Sequence, residues 1–439
     1  MAPAKVLPEL FSDLEFRGIV KQVTDPALKV LLSKTPVTLY CGFDPTSDSL
    51  HIGSLLPLLT LRRFQLAGHR VIAVVGGATG MIGDPSGKSQ ERSLMGPDQI
   101  EHNIKGITRV IGKFLDLKGS NPARVVNNGD WFLGLSYLEF LRDVGKHFTV
   151  NHMMAKESVR ARLEDREHGI SYTEFSYMLL QAYDFYVLHQ KEGCRLQIGG
   201  SDQWGNITAG NELIRRMGAA NGAPVTSENE VFGLTHPLVS KSDGAKFGKT
   251  EKGNIWLDAK KTSPYQFYQF LVRTADADVM NLIKYFSFLP EADIRALDTS
   301  TQKEPEKRAA QTALARELTL MVHGPAEVEK VEKASQALFG TGIRDLDRET
   351  LLDVMGEAPS TEKPKSILSP GYPLVDVLTD SALCQGKGAA RKDIAAGGIY
   401  VNNERVSDPA LNLTPQHLIA GSYIVLRKGK KTYHLMSFK

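Results

Sequence analysis

Four stretches of the chain combine residue types and spacings that could do phosphate or small-molecule chemistry. Asp44-Pro-Thr46-Ser-Asp-Ser-Leu-His51-Ile-Gly53-Ser54 follows an apolar run and opens a helix, with Pro57 in its first turn. A missing N–H is harmless there, and the helix N-terminus attracts anions through its free N–H groups and its dipole. Thr46 and His51 add side-chain donors, so the segment reads as a phosphate site or, more plainly, as a capped helix carrying a surface histidine. The second stretch, Val75 to Ser89, holds five glycines, Asp84 and Lys88, so backbone can approach a ligand closely. Gly83 and Gly87 enclose three residues where a Walker A loop needs four, and GxGxxG is absent, which removes two common nucleotide-binding classes.

The third stretch is a helix pattern, Thr173 to Val187. Tyr177, Gln181 and Asp184 fall at i, i+4 and i+7, one face of a helix whose neighbouring residues are apolar. A polar stripe on a buried helix needs partners, which a cavity holding a polar small molecule would supply, as would solvent. The fourth stretch, Lys241 to Thr250, is punctuated by Gly244 and Gly248 and carries Lys241, Lys246 and Lys249. Lysine is a compact mobile charge suited to phosphates, although such loops are commonly just solvated.

The elements that must position these residues alternate. Val37–Phe43, Arg70–Gly76 and the shorter Arg195–Gly199 read as strands, and Leu55–Ala67 repeats leucine at helical spacing. Strand, helix, strand at this scale predicts a βαβ unit and a parallel sheet, with ligands beyond the carboxyl ends of the strands. That places Tyr40–Asp48, Gly76–Lys88 and Gly199–Gln203 at one rim. From about Thr262 to Phe339 the pattern is helical; Gly356–Gly371, with Pro359, Pro364 and Pro370, reads as a linker. The stretch from Gly371 to Lys439 holds nine Lys/Arg against five Asp/Glu, a basic helix turning on Gly397-Gly398 into a strand. Such an excess suits RNA or a solvated surface.

With 439 residues the chain has room for two or three domains, and 42% hydrophobic with 23% charged residues is a globular balance. Fifty-three basic against 50 acidic side chains name no partner. Cys41, Cys194 and Cys384 are odd in number and far apart, against a disulfide framework or CxxC metal site, and no metal site is expected. No apolar run approaches the ~20 residues of a membrane span. Met1–Val20 carries Glu9, Asp13 and Glu15, unlike a signal or transit peptide, so the expected compartment is the cytoplasm.

In order along the chain stand YCGFDPT at Tyr40, a HIGH-type box at His51, GDPSGK at Gly83, TEFSYMLLQAYD at Thr173, GGSDQWGN at Gly199 and KFGKT at Lys246. The ordered set resembles the bacterial-type tyrosyl-tRNA synthetases, of class I, over essentially the whole chain. The resemblance implies an α/β fold: a Rossmann-like parallel-sheet catalytic domain over residues 1–238 with an inserted dimerisation segment, then a mobile KFGKT loop and connection over 239–261. An α-helical anticodon-side domain over 262–350, a linker over 351–370 and a small α+β S4-like RNA-binding domain over 371–439 would follow.

By the same resemblance, Tyr40 and Asp184 would hydrogen-bond the phenol of tyrosine, Asp84, Tyr177 and Gln181 its ammonium group, and Gln203 its carboxylate end. Cys41, Gly42, Asp44, Gly53, Gly200 and Asp202 would surround ATP. Thr46, His51, Lys88, Arg92, Lys246, Lys249 and Thr250 would meet the phosphates, and Lys387, Arg391, Lys392 and Arg405 would face tRNA. The fourth HIGH position is Ser54, shorter than histidine and unable to become cationic, which changes the ribose-side contact. The implied reaction is tyrosine–tRNA ligation by a homodimer, using ATP with magnesium and no tightly bound cofactor. A tryptophanyl-tRNA synthetase would not need the Tyr40–Asp184 pair and normally lacks an S4-like tail. A non-catalytic RNA-binding protein on the same scaffold would dispense with His51 or the lysine loop, and a small HIGH-type nucleotidyltransferase would be shorter.

Overall fold

A computed structural model describes residues 9–86, 95–164, 169–222, 224–226, 229–250, 253–337, 341–356, 358–429 and 432–439. The chain forms two compact units: residues 1–261 with 274–314, and residues 262–273 with 315–439.

The first unit is built on a six-stranded sheet: β1 (Gln22–Val23), β2 (Thr38–Phe43), β3 (Arg70–Val75), β4 (Arg124–Asn127), β5 (Cys194–Gly200) and β6 (Phe232–His236). Their spatial order is β1-β6-β5-β2-β3-β4, all parallel except the β1–β6 pair. Burial on both faces explains why β2 and β3 read as unbroken apolar runs. The order reverses at β2: the chain moves outward through β3 and β4, then returns to β5 on the other side. A crevice opens at such a switch point, beyond the carboxyl ends of neighbouring strands.

Three helices matter for the site: α1 (Leu55–Leu66), α2 (Tyr172–Glu192) and α3 (Trp204–Ala220). In α1 Leu55, Leu56, Leu58, Leu59, Leu61 and Phe64 are fully buried. α2 begins where the Ser171 hydroxyl accepts the Glu174 N–H and ends on Gly193 in the left-handed region, φ 61°. Phe185 and Leu188 of α2 join Tyr40, Ile72, Val74 and Ile214 in one apolar cluster. The start of α2 is held by an ion pair: Arg162 Nη2 donates to Glu174 Oε2 over 2.8 Å, with both side chains at most 4% exposed.

The second unit ends in a five-stranded sheet. Its strands are β7 (Ser360–Lys363), β8 (Ile399–Val401), β9 (Glu404–Val406), β10 (Tyr423–Lys428) and β11 (Thr432–Phe438), ordered β9-β8-β10-β11-β7. The β8–β9 hairpin turns on Asn402 and Asn403, both at positive φ, as a two-residue hairpin loop requires. A fourth helix, α4 (Lys387–Ala395), packs Ala390 and Ile394 into the core under this sheet.

The structure corrects the reading of residues 351–370 as a linker. Leu351 and Met355 lie in one core and Leu368 in another, and β7 pairs parallel with β11. Proline is tolerated at a sheet edge, so Pro359 and Pro364 bracket an edge strand. The helices of 262–350 also divide between the two units, those from Asp276 to Lys303 belonging to the first.

Removing one partner of a buried ion pair strands the other charge, at a cost of about 3–5 kcal/mol. Arg162→Met is therefore expected to destabilise the first unit by that order, read by denaturant unfolding, with Glu174→Gln on top restoring part of the loss.

Candidate active site

The crevice at the switch point collects the ends of β2, β3, β4 and β5, the start of α1 and the polar face of α2. Tyr40 in β2 is 1% exposed, its ring 5.5 Å from that of Phe185. Among the described residues its buried hydroxyl has no hydrogen-bond partner. Burial first, and then the charge of Asp184, holds the phenol well above its ordinary pKa, so it remains a donor at neutral pH.

Asp184 is buried too, accepting from Trp131 Nε1 at 2.9 Å and from Asn128 Nδ2 at 3.1 Å. Burial pushes its carboxyl up to about 8, while the two N–H donors pull the other way. From Asn128 a polar chain runs across the crevice. Asn128 Nδ2 donates to Thr79 Oγ1 at 2.9 Å, Thr79 donates to Asp44 Oδ1 at 2.8 Å, and Tyr177 Oη donates to Asp44 Oδ2 at 2.8 Å. Tyr177 is held well above its ordinary pKa by burial first and then by the Asp44 charge. Gly76 is required here, since a Cβ would overlap both Asp44 Oδ1 and Thr79 Oγ1.

A second cluster lies at the end of β5. Gln203 Nε2 donates to Asp84 Oδ2 at 2.6 Å, and Asn206 Nδ2 reaches both Gln181 Oε1 and Gln203 Oε1 at 3.0 Å. Asp84, Gln203, Asn206 and Gln181 thus form one polar wall, and the Asp84 charge also reaches Tyr177. Asp202 has its carboxyl raised by burial and then by the Asp84 charge, with the Lys246 charge opposing.

The phosphate-type motifs meet through backbone. His51 Nδ1 accepts the Gly53 N–H at 3.0 Å, and a Cβ on Gly53 would stand 2.8 Å from the imidazole. Gly248, at φ 87°, leaves no room for a Cβ against Ile52. The Ile255 N–H donates to the Gly248 carbonyl at 3.0 Å and the Ile52 N–H to the Ile255 carbonyl at 2.8 Å. The His51 box and the lysine loop are therefore laced together. Lys261 pairs with Asp48 and lies over the Trp256 ring, fastening the same corner.

Lys246, Lys249, Thr250 and Thr46 are exposed, and the Gly42 position opens onto free space. Ser54 caps α1 without a side-chain capping bond. Cys41 is buried, and burial pushes its thiol up to about 12, so it is a thiol rather than a thiolate at neutral pH. Lys88 and Arg92 lie outside the described residues. In the second unit Lys387, Arg391 and Lys392 are exposed along α4; Lys387 pairs with Asp376 at 2.7 Å. Arg405 spends its guanidinium on the carbonyls of Gly397 and Ala396, at 2.9 and 3.3 Å.

Four site residues were missed by sequence reasoning: Thr79, Asn128, Trp131 and Asn206. The turn Asn127-Asn128-Gly-Asp-Trp131 after β4 offered a signal, and Asn206 stands inside the GGSDQWGN motif.

Comparison with known proteins points the same way. A family model described as tRNA synthetases class I (W and Y) matches residues 32–340, and one for the tyrosine–tRNA ligase SYY-like C-terminal domain matches 353–436. The chain is similar to the tyrosine–tRNA ligase of Opitutus terrae, 54% identical over 97% of this chain and 98% of that one. It is 52% identical to that of Geobacillus kaustophilus over 98% and 100% of the two chains. A C-terminally truncated mitochondrial tyrosyl-tRNA synthetase from Aspergillus nidulans superposes with TM-score 0.68 at 30% identity, covering 75% of this chain and 94% of that one.

The Asp184 environment makes a pH prediction. A carboxyl at about 3.9 when unfolded and about 8 when folded stabilises the protein fully below the lower value and loses that contribution as pH rises through the upper one. Asp184→Asn removes this dependence, so its stability relative to the unmodified chain should improve between pH 5 and pH 8 in denaturant unfolding. A gap that does not change with pH would sink the assignment.

Proposed function

The chain belongs to the class I tRNA synthetases of the tryptophan and tyrosine group, and we propose that its site is that of a tyrosine–tRNA ligase. The observation that carries this reading is the buried Tyr40 hydroxyl, without a hydrogen-bond partner among the described residues and set beside the Asp184 carboxyl in an apolar cluster. One donor and one acceptor converge there with apolar walls, the complement of a phenol. A tryptophan side chain would leave that pair half used. A site built to bond a hydroxyl rejects the analogue lacking it by about 10⁴–10⁵, the figure established for enzymes of this same family.

In this reading Asp84, Tyr177 and Gln181 take the substrate ammonium and Gln203 its carboxylate end. Gly42, Gly53 and Gly200 let ATP lie against backbone, with Cys41, Asp44, Ser54 and Asp202 around its nucleoside. Thr46, His51, Lys88, Arg92, Lys246, Lys249 and Thr250 serve the triphosphate, and magnesium comes as part of the ATP substrate. The tyrosine carboxylate is already ionised at neutral pH and needs no general base. Its oxygen attacks the α-phosphorus in line, the α–β bridging bond breaks, and pyrophosphate leaves with tyrosyl-adenylate formed. The protein supplies position and donors for the departing charge. A ribose hydroxyl at the 3′ end of tRNA(Tyr) then displaces AMP from the acyl carbon. Lys387, Arg391 and Lys392 suit the RNA backbone, and the cytoplasm fits such a substrate.

The test is tyrosine-dependent ATP–pyrophosphate exchange without tRNA. We expect exchange with tyrosine, almost none with phenylalanine or tryptophan, and a fall in tyrosine-over-phenylalanine preference of about tenfold or more for Tyr40→Phe. Exchange driven by tryptophan would overturn the reading.

We also propose a homodimer. Leu133, Tyr137, Leu138, Val150, Met154 and Tyr172 are all exposed within forty residues of chain, an apolar surface suited to burial against a second copy. Sedimentation equilibrium should give twice the chain mass, and Leu138→Glu should shift it toward monomer.

A further inference from the structure

The helix Asp276–Phe286 lies in the first unit but outside every motif that carries the chemistry. Its two ends touch both halves of the phosphate-handling machinery. Near its start, Asp278 Oδ1 accepts the Ser242 N–H at 2.8 Å. At its other end Phe286, fully buried, packs its ring 6.0 Å from that of Phe247 at an interplanar angle of 32°. Ser242 and Phe247 flank Lys246 and close the turn that presents it: the Lys241 N–H donates to the Ala245 carbonyl at 2.8 Å, and the Phe247 N–H to the Val239 carbonyl at 3.1 Å.

The far end of the same helix is fixed to α1, which starts at the His51 box. Arg63 of α1 donates to the Ser287 carbonyl and stacks over Phe288 at 4.3 Å. Arg17 donates to Ser287 and Leu289 at 2.9 and 2.7 Å and is itself held by Asp13 at 2.8 Å. Cationic groups at a helix C-terminus satisfy its last carbonyls and its dipole. The helix is thereby a rigid strut, anchored to α1 at one end and offering a carboxylate to the lysine loop at the other.

We infer that Asp278 is a positioning residue for adenylate formation: it pins the base of the 241–250 loop so that Lys246 is presented to the phosphates. The role rests on the proposed activity but touches neither substrate. A backbone N–H accepted by a carboxylate is a charge-assisted bond, stronger than a neutral one, so its loss loosens the start of the turn at Ser242. Lys246 would then sample many positions, and rate depends steeply on placement of a charge at the departing group.

Four measurements on the full-length protein decide it. Asp278→Ala should lower the maximal rate of tyrosine-dependent ATP–pyrophosphate exchange about tenfold, while tyrosine binding at equilibrium stays within about twofold. Asp278→Asn keeps an oxygen acceptor and should recover most of the rate. In a Lys246→Ala background, Asp278→Ala should add less than about twofold, since the two act on one path. Amide hydrogen exchange of the 241–250 peptide, with no substrate present, should speed up in Asp278→Ala alone. A full rate in Asp278→Ala, a parallel loss of tyrosine binding, or full additivity with Lys246→Ala would each overturn the inference. If the unmodified protein shows no exchange with tyrosine, the ligase reading fails instead; faster amide exchange would then still establish the pin, and unchanged amide exchange would remove it.

Discussion

The chain of hydrogen bonds from Asp184 through Asn128, Thr79 and Asp44 to Tyr177 is the constraint on which the rest of the crevice depends. Each member is buried or nearly so, and an unpaired polar group in such a place is costly. The chain crosses from the end of β4 to the polar face of α2, passing the loop after β3 and the end of β2. Strand order brings these ends together, and the polar chain then fixes how far apart they stand. Gly76 and Gly77 follow from it, because Cβ atoms there would occupy the space taken by Asp44 and Asn127 side chains. An alanine at either position breaks the geometry without removing a functional group.

A second constraint is made of backbone alone. His51, Gly53, Gly248 and Ile255 interlock through main-chain bonds and through the absence of two β-carbons. The His51 box and the lysine loop are about two hundred residues apart in sequence, yet main-chain bonds through Ile255 join them. Glycine at these positions is therefore a packing requirement.

Much of this was legible in the sequence where a local pattern encodes it. Tyr177, Gln181 and Asp184 announced one helix face because α2 is long and regular, and β2 and β3 announced themselves by their apolar runs. The partners of these residues were not legible. Asn128, Trp131 and Thr79 meet Asp184 and Asp44 only through sheet order, which no short-range period records. The segment around Pro359 and Pro364 misled for a related reason. Proline signals a break in local structure, but β7 is stabilised by β11, some seventy residues later, and an edge strand needs pairing on only one side. Arg405, which the family resemblance turns toward tRNA, also closes the end of α4 with its guanidinium, a partner no local pattern records.

The carboxylates give the crevice a direction. Burial first, and then a neighbouring carboxylate, raises the proton affinity of Asp184, Tyr177 and Asp202: Asp44 acts on the first two and Asp84 on the third, so further negative charge is disfavoured along the polar wall. Such a wall suits a cation better than an anion. In the proposed ligase an amino-acid ammonium seated among Asp84, Tyr177 and Gln181 would be that cation, and it would turn its own carboxylate away from the wall. In that reading the carboxylate would face the lysine loop, whose exposed Lys246 and Lys249 are cations suited to negative charge. The same field that draws the amino group inward would repel a triphosphate laid along the wall. In the proposed ligase the two substrates would thus be sorted by sign, with the carboxylate meeting the phosphate where the acidic wall gives way to the lysine loop.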